Sequence, residues 1–214
     1  AFPHRAMYVS DMEGFAGFGN WLYRGLGCIP KRRFVADYSV ISNVRYAISK
    51  GQSVFIYPES RHSNIGTTSY VPKNMGRLCK LLKVPVVTLS CSGSYLANPF
   101  WNEATTYKVP IKATMECIYT ASALKSASED EIQDLIEQKL KYDEYDYMHK
   151  TGFKIKSAKR ADGIHKALYI CRECGTSYKM HSSGSTLSCS ACGTSWNMTE
   201  DGWLVRVGGE NGTK

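Results

Sequence analysis

The feature that most constrains this chain is a pair of Cys-x-x-Cys knuckles near its C-terminal end. Cys171 and Cys174 form the first, Cys189 and Cys192 form the second, and Gly-Thr-Ser and an aromatic residue follow each. Such a turn presents two thiolates on one side, and the glycine after it permits a tight turn around a metal ion. Four thiolates close a tetrahedral shell with no position open for catalysis. The doubled knuckle therefore predicts a structural zinc ribbon, with a hairpin that turns at residues 182–184.

Disulfides or redox dithiols are the alternative for these cysteines. The doubling favours zinc, because two knuckles of the same sequence are far more specific than a lone Cys-x-x-Cys. His181 lies between the pairs and is not needed as a ligand. The other cysteines lie among apolar neighbours and are predicted to be buried free thiols: Cys28, Cys79, Cys91 and Cys117. This distribution favours a reducing, cytoplasmic compartment.

Ahead of the ribbon, length and patterning predict one α/β domain, a sheet flanked by helices. The chain has 214 residues, of which 43% are hydrophobic and 21% charged, enough for one medium domain and a small appendage. The predicted division is an α/β domain over 1–141, a connecting segment along the surface over 142–167, the ribbon over 168–207 and a tail over 208–214.

Short apolar runs alternate with helical periodicity in the α/β domain. Buried strands are predicted at 53–57 and 84–91, and their strand–helix–strand order implies parallel pairing. A helix is predicted at 36–50, and Ser128 with Glu131 forms a capping box that begins another. The alternating run 111–120 predicts a further strand, with Ile111, Ala113, Met115 and Cys117 on one face.

The charge of the chain favours an anionic partner. Net charge is +8 and the pI about 9.0, which suits nucleic acid, an anionic membrane surface or a phosphorylated substrate. The ribbon has no basic stripe with interleaved aromatics, which argues against nucleic acid. No apolar run approaches the roughly 18 residues that a membrane span needs.

Two polar stretches are candidates for binding phosphate. "LGCIPKRRF" (26–34) has three consecutive cations, and "SVFIYPESRHSN" (53–64) has Glu59, Arg61 and His62 directly after a strand. The planar fork of Arg donates two hydrogen bonds to one phosphate, and a nearby Glu can orient it. Composition alone leaves two interpretations open: two solvated turns, or one anion-binding site.

The order of these stretches resembles the glycerolipid acyltransferases of the lysophosphatidate acyltransferase type. Residues 27–33 match the second block of that family, Tyr57-Pro58-Glu59 with Arg61 and Ser63 the third, and Val84-Pro85-Val86-Val87 the fourth. "YPESRHSNIGTT", "KLLKVPVV" and "NPFWN", followed by a terminal zinc ribbon, are similar to a bacterial subgroup. The resemblance covers nearly the whole chain.

The resemblance implies an enzyme of phospholipid biosynthesis. It would move an acyl chain from acyl-CoA or acyl carrier protein to the hydroxyl of a lysophosphatidate-like lipid. Arg33, Glu59 and Arg61 would bind the glycerol-phosphate part of that lipid, with His62 and Ser63 beside them. The protein would be cytoplasmic and peripheral on the inner face of the cell membrane. Residues 21–23 or 100–101 would contact that membrane, unless they are core residues.

Two departures from the family pattern affect the site. Glu59 and Arg61 are two positions apart, where the family has three, so Arg61 need not reach the same phosphate and His62 could share the task. The first block of the family, His-x-x-x-x-Asp, supplies a general base, and none of the five histidines has Asp at that spacing. We therefore assign no catalytic residue, expect the block to lie upstream of Ala1, and expect residues 1–214 to be inactive alone. A binding module for nucleic acid or protein on a non-catalytic scaffold, or a degenerate homologue, are the competing hypotheses.

Overall fold

Three sheets carry the strands in the computed structural model, which describes residues 6–16, 19–32, 37–59, 63–102, 106–208 and 212–213. The strands are β1 Ala6–Asp11, β2 Cys28–Lys31, β3 Ser53–Phe55, β4 Val86–Ser92, β5 Lys112–Tyr119, β6 Met180–Ser183, β7 Thr186–Cys189, β8 Ser195–Met198, β9 Leu204–Arg206 and β10 Gly212–Thr213. The helices are α1 Gly19–Gly25, α2 Tyr38–Ser49, α3 Met75–Leu82, α4 Ser94–Ala97, α5 Ala121–Ser126, α6 Glu129–Leu140 and α7 Glu144–Thr151. Short 3-10 helices lie at Met12–Phe15, Phe100–Asn102 and Ile164–Lys166.

The first sheet is parallel, in the order β2-β1-β3. Helix α2 covers it, and Val9, Ile29 and Val44 form the buried contact between strands and helix. Asp37 begins α2, because its carboxylate accepts a hydrogen bond from the backbone N–H of Ser39 at 3.2 Å. The helix predicted at 36–50 is confirmed.

The predicted parallel pairing of 53–57 with 84–91 is wrong. β3 pairs with β1, for which the sequence analysis predicted no element, and β4 pairs antiparallel with β5. The reason is that β1 lies between β2 and β3 and provides β3 with a parallel partner, whereas β5 pairs along the whole of β4. Helices α3, α5 and α6 pack beside this second sheet around Cys79, Leu124, Ile132 and Ile136.

The predicted capping box at the start of α6 is confirmed. Ser128 Oγ accepts from the N–H of Glu131 at 3.1 Å, and the Glu131 carboxylate accepts from the N–H of Ser128 at 2.7 Å. Both partners lie three residues apart, so the signal is entirely local.

None of the helices within the described ranges is long and apolar enough to cross a bilayer.

The apolar face of the β4–β5 sheet is exposed rather than buried. Val87, Leu89 and Met115 have 51%, 43% and 58% of their surface exposed. Cys91 and Cys117 are exposed on the same strands, so the prediction of buried thiols is wrong for them, while Cys79 is buried and Cys28 half-buried. Alternation in β5 selects a face of the strand, but it does not determine whether another element covers that face.

Residues 142–167 were predicted to run along the surface, and the structure contradicts this. Met148, Ile155, Ala161 and Ile164 are buried, in one cluster with Leu96 and Trp101 of the α/β part and with Leu187 and Trp196 of the ribbon. The many charges of this segment hid apolar residues that recur on one side of α7 and of the chain after it. The domain boundaries stay a prediction, and one core joins all three segments.

The ribbon is an antiparallel meander of β6 to β10. The predicted hairpin is confirmed, with its turn at Gly184 and Ser185 between β6 and β7. Two hydrogen bonds from backbone N–H groups connect the preceding segment to the ribbon. The N–H of Ile155 donates to the carbonyl oxygen of Glu200 at 2.6 Å, and the N–H of Gly163 donates to the side-chain oxygen Ser182 Oγ at 3.0 Å.

A buried carboxylate fixes α7 to the α/β part. Glu144, the first residue of α7, is fully buried. Its two oxygens accept from the N–H groups of Gly93 and Leu96, at 2.9 and 3.2 Å. These donors lie at the start of α4, where an anion is favoured by the free N–H groups of the first turn.

Replacing this carboxylate tests its contribution. Glu144→Gln keeps the shape but offers one carbonyl oxygen to two N–H donors, so one donor loses its partner. We expect the free energy of unfolding to fall by about 2 kcal/mol, measured by urea denaturation. Glu129→Gln, at an exposed position of α6, is the control and should cost no more than about 0.5 kcal/mol. Equal losses in both variants would contradict a special role for Glu144.

Candidate functional site

The four knuckle cysteines converge on one point. The Sγ atoms of Cys171, Cys174, Cys189 and Cys192 all lie within 4.8 Å of one another. The Cys171–Cys192 and Cys174–Cys189 sulfur pairs are 3.7 and 3.8 Å apart. A tetrahedral metal with bonds of about 2.3 Å to sulfur requires neighbouring sulfurs at about 3.8 Å. The cluster therefore fits a metal ion, and four protein ligands would leave it no open position.

Both knuckles have the same backbone geometry. The N–H of Gly175 donates to Cys171 O, and that of Gly193 donates to Cys189 O, each at 2.9 Å. The φ angles of these glycines are +69° and +73°, a region that side chains with Cβ rarely adopt. The predicted role of the glycine after each Cys-x-x-Cys is confirmed.

Two threonines modulate the exposed thiols. Thr176 Oγ1 lies 3.3 Å from Cys174 Sγ, and Thr194 Oγ1 lies 3.3 Å from Cys192 Sγ. The Thr176 hydroxyl lowers the pKa of Cys174 to about 6, and Thr194 lowers the pKa of Cys192. Burial instead raises the pKa of Cys171 to about 11. The sequence analysis gave these threonines no role. Their repetition in the Gly-Thr-Ser run after each knuckle was the pattern that could have indicated a contact with the thiols.

The two phosphate-candidate stretches leave the same edge of the parallel sheet. β2 and β3 lie on either side of β1, and both run parallel to it. Arg32 therefore follows the carboxyl end of β2, and residues 57–59 follow the carboxyl end of β3 at the same edge. Ligands of parallel α/β sheets bind outside this edge.

Glu59 and Ser63 are the predicted substrate-binding residues that the structure describes. Glu59 lies in a turn after β3, and its carboxylate accepts from the N–H of Ser69 at 3.2 Å. Ser63 Oγ donates to Thr67 O at 2.7 Å and accepts from the N–H of Gly66 at 3.0 Å. Both side chains thus hold the loop over 63–69 in shape. Arg33, Arg61 and His62 lie outside the described residues.

This loop is fastened to the chain that leads into α7. Thr68 donates its N–H to Tyr142 O at 3.1 Å, and Thr68 Oγ1 accepts from the N–H of Tyr142 at 2.6 Å. One step further, the N–H of Glu144 donates to Gly66 O at 2.9 Å. The sequence analysis missed this contact, since its partners lie 74 residues apart.

Tyr142 connects this loop to the chain before α7 through its backbone N–H and carbonyl groups. Burial, followed by the negative charges of Glu144 and Glu59, raises the pKa of Tyr142 well above its usual range. The sequence analysis gave Tyr142 no role.

The basic stretch after β2 includes an ion pair. Arg32 Nε lies 3.0 Å from Asp37 Oδ2. The Arg32 hydrogen bond, followed by that of Ser39, lowers the pKa of Asp37 far below its usual range. Asp37 is also the residue that caps α2, so the ion pair holds Arg32 beside the first turn of this helix.

Comparison with known families connects these features. The Acyltransferase family model matches residues 2–92, a range that includes β1 to β4 and both phosphate-candidate stretches. Residues 2–92, fewer than half of the 214 residues, are thus similar to an acyltransferase domain. No curated protein and no solved structure matches the chain.

Two histidines in the described part of the chain lie outside the matched range and contact the ribbon. His149 Nδ1 lies 3.6 Å from Asp201 Oδ2, between α7 and the ribbon. His165 Nδ1 lies 2.7 Å from Ser182 Oγ, where it joins the connecting segment to β6. Both link α7 or the segment after it to the ribbon. We assign neither to catalysis.

The candidate membrane residues divide between surface and core. Trp21 in α1 has 74% of its surface exposed, whereas Trp101 has 3%. Leu22 and Phe100 are also exposed, and Tyr23 is half-buried. Trp101 is therefore a core residue and does not contact a membrane. Trp21 and Leu22 of α1 form an exposed apolar surface close to Arg24.

The loop of the acyltransferase domain can be tested at Gly66. A Cβ at Gly66 would lie 2.6 Å from Tyr95 Cδ1, and the Tyr95 hydroxyl is held by Asn64 O at 2.8 Å. We expect Gly66→Ala to lower the free energy of unfolding by about 2–3 kcal/mol. Hydrogen exchange should also show faster exchange at the Glu144 amide, whose acceptor is Gly66 O.

Gly152→Ala is the matched control for this variant. Gly152 also has positive φ, +64°, but a Cβ there would meet nothing within 4 Å. It should show only the backbone cost of about 1 kcal/mol, with unchanged exchange at Glu144. Similar results for both glycines would exclude the contact with Tyr95 as the cause.

Proposed function

We propose that the protein is a lysophosphatidate acyltransferase of phospholipid biosynthesis. It would transfer an acyl chain from acyl-CoA or acyl carrier protein to the hydroxyl of 1-acylglycerol 3-phosphate or a similar lysophospholipid. The observation that carries the proposal is that β2 and β3, the strands of the two phosphate-candidate stretches, end at one edge of the parallel sheet inside the range that matches the acyltransferase family. The net charge of +8 is consistent with an anionic acceptor.

Arg33, Arg61 and His62 would bind the phosphate of the acceptor at this edge. Arg supplies paired donors for phosphate oxygens. Glu59 and Ser63 would act mainly by shaping the loop, since both already hold backbone groups of residues 66–69.

In the transfer, the acceptor hydroxyl oxygen attacks the thioester carbonyl carbon, and a C–O bond forms. The C–S bond then breaks, and the hydroxyl proton is passed through a general base to the leaving thiolate. Residues 31–33 and 57–63 contribute by holding the acceptor phosphate, which fixes the hydroxyl relative to the thioester. No residue of this chain is assigned as the base.

The four knuckle cysteines would hold zinc as a structural ion. Zinc prefers four thiolates in a closed tetrahedral site, and its binding energy would add to the folding energy of the ribbon. Buried Cys171 and Cys189 belong to the core that also contains Leu96 and Met148. The ion would thereby stabilise the attachment of the ribbon to the acyltransferase domain.

Metal content provides a test of this site. We expect one zinc per chain by elemental analysis, and a chelator should lower the unfolding temperature. Cys192→Ser should weaken zinc binding by about tenfold or more, because one thiolate ligand is lost. Cys117→Ser changes an exposed free thiol and should leave the zinc content unchanged. Full zinc content in Cys192→Ser would contradict the assignment.

The protein would attach to membranes peripherally, on the cytoplasmic side of a bacterial cell. Exposed Trp21, Leu22 and Leu26 lie near Arg24 and the basic stretch at 31–33. An apolar surface beside cations is the composition that binds an anionic bilayer surface. The acceptor lipid would then be reached from that surface.

Vesicle binding tests the acceptor site. The chain should bind phosphatidylcholine vesicles doped with lysophosphatidate more tightly than vesicles doped with phosphatidylglycerol at equal charge. Arg61→Gln or Arg33→Gln should reduce that preference about tenfold, since a charge-assisted hydrogen bond is lost. Arg77→Gln, an exposed cation of α3, is the control with equal charge change. Absence of the preference, or preferential binding of RNA at the same salt concentration, would overturn the proposal.

A further inference from the structure

The ribbon and its neighbours enclose a cavity that the proposed acceptor site does not use. Its volume is about 380 Å³, within the range of pockets that bind small ligands. Leu187, Met180 and Trp196 of the ribbon line it, and all three are buried. The four knuckle cysteines do not line it, so the cavity is distinct from the metal centre.

One end of the cavity is open to solvent. Leu168 and Ile170, which precede the first knuckle, line it and are exposed. The deeper wall is made of aliphatic and aromatic side chains from β6, β7 and β8. An apolar ligand could therefore enter beside Ile170 and bury its length against Leu187.

Polar groups in the wall are largely occupied by the protein itself. Asp143 Oδ1 accepts from the N–H groups of Tyr145 and Asp146, at 2.9 and 3.1 Å. Thr67 O accepts from Ser63 Oγ at 2.7 Å. Arg172 also lines the cavity. Such a wall has few groups for the many hydrogen bonds of a sugar or nucleotide, and it suits an aliphatic chain.

The loop over 63–69 contributes one residue, Thr67, to the wall of the cavity. Thr67 lines it and forms a β-bridge with Asp143, which also lines it. Thr67 is the acceptor of Ser63, so the wall of the cavity and the loop after β3 share a residue. A ligand in the cavity would lie beside the loop that ends the proposed acceptor site.

We propose that this cavity binds the fatty acyl chain of the acyl donor or of the lysolipid. The inference rests on the proposed function, because an acyltransferase provides such a chain as its substrate. Burial of the chain against Leu187 and Trp196 supplies the binding energy. The ribbon would therefore form one wall of the substrate site, held in shape by its metal ion.

Tryptophan quenching by brominated lipids tests the cavity directly. Trp196 and Trp203 line it, so a dibrominated fatty acid bound there must quench their fluorescence. Three probes separate the sources of the chain: dibromostearate, its coenzyme A thioester, and a lysophosphatidate with a dibrominated chain. All are used on zinc-loaded residues 1–214 below their critical micelle concentrations, in a Trp21→Phe background that removes the exposed indole of α1.

A charge at the mouth should block the chain. Ile170→Asp places a carboxylate at a cavity-lining position that is already 51% exposed, so the fold should tolerate it. We expect the affinity for the quenching lipid to fall about tenfold or more, since the carboxylate must be desolvated. Val207→Asp is the control, at a ribbon position that is 61% exposed and does not line the cavity. Zinc content verifies that both variants are folded.

The outcomes separate this inference from the proposed function. No quenching by any of the three lipids, or equal loss in both aspartate variants, overturns the cavity proposal and leaves the vesicle test of Arg33 and Arg61 intact. Quenching that only Ile170→Asp abolishes supports the cavity, even if the arginine variants show no lysophosphatidate preference. Preference among the three probes identifies whether donor or acceptor provides the chain.

Discussion

The structure depends on one buried carboxylate at the start of α7. Glu144 has no exposed surface, yet both of its oxygens are paired with N–H groups at the start of α4. Its own N–H donates to Gly66 O, so one residue connects α4, α7 and the loop after β3. An unpaired buried carboxylate would be very costly, so the position of α7 depends on the N–H groups that α4 offers to Glu144. α7 then carries Met148 into the core that the ribbon completes.

The ribbon shares one apolar core with α7 and the α/β part, and it is therefore not a separate appendage. Cys171 and Cys189 belong to this core together with Met148, and the N–H of Glu144 at the start of α7 donates to Gly66 O in the loop over 63–69. A ribbon of this size has too little core to fold alone, so a metal ion and a neighbouring surface both have to stabilise it. Loss of the metal should therefore disturb the loop after β3 as well as the knuckles.

Local patterns were predicted well from the sequence and long-range ones were not. The knuckles, the α6 capping box and α2 depend on residues within a few positions of each other, and all were confirmed. Tyr142 and Glu144 take part in contacts with partners 74 and about 50 residues away, and no periodicity indicates such partners. The β4–β5 sheet shows a second limit of local patterns. Alternation correctly assigned Met115 to the apolar face of β5, but whether that face is buried depends on which other element packs against it. Family resemblance identified Glu59, whose contact with Ser69 N–H it did not imply.

The described part of the loop after β3 is held by hydrogen bonds of its own side chains. Ser63 Oγ donates to Thr67 O and accepts from the N–H of Gly66, while Thr68 Oγ1 lies 3.2 Å from Leu140 O and 3.1 Å from Tyr142 O. Glu59, which the family resemblance connects with the acceptor, accepts from the N–H of Ser69. These side chains therefore fix the backbone over 63–69. A backbone that is fixed in advance loses less conformational entropy when a ligand binds, so the contribution of Glu59 lies in the shape of the loop.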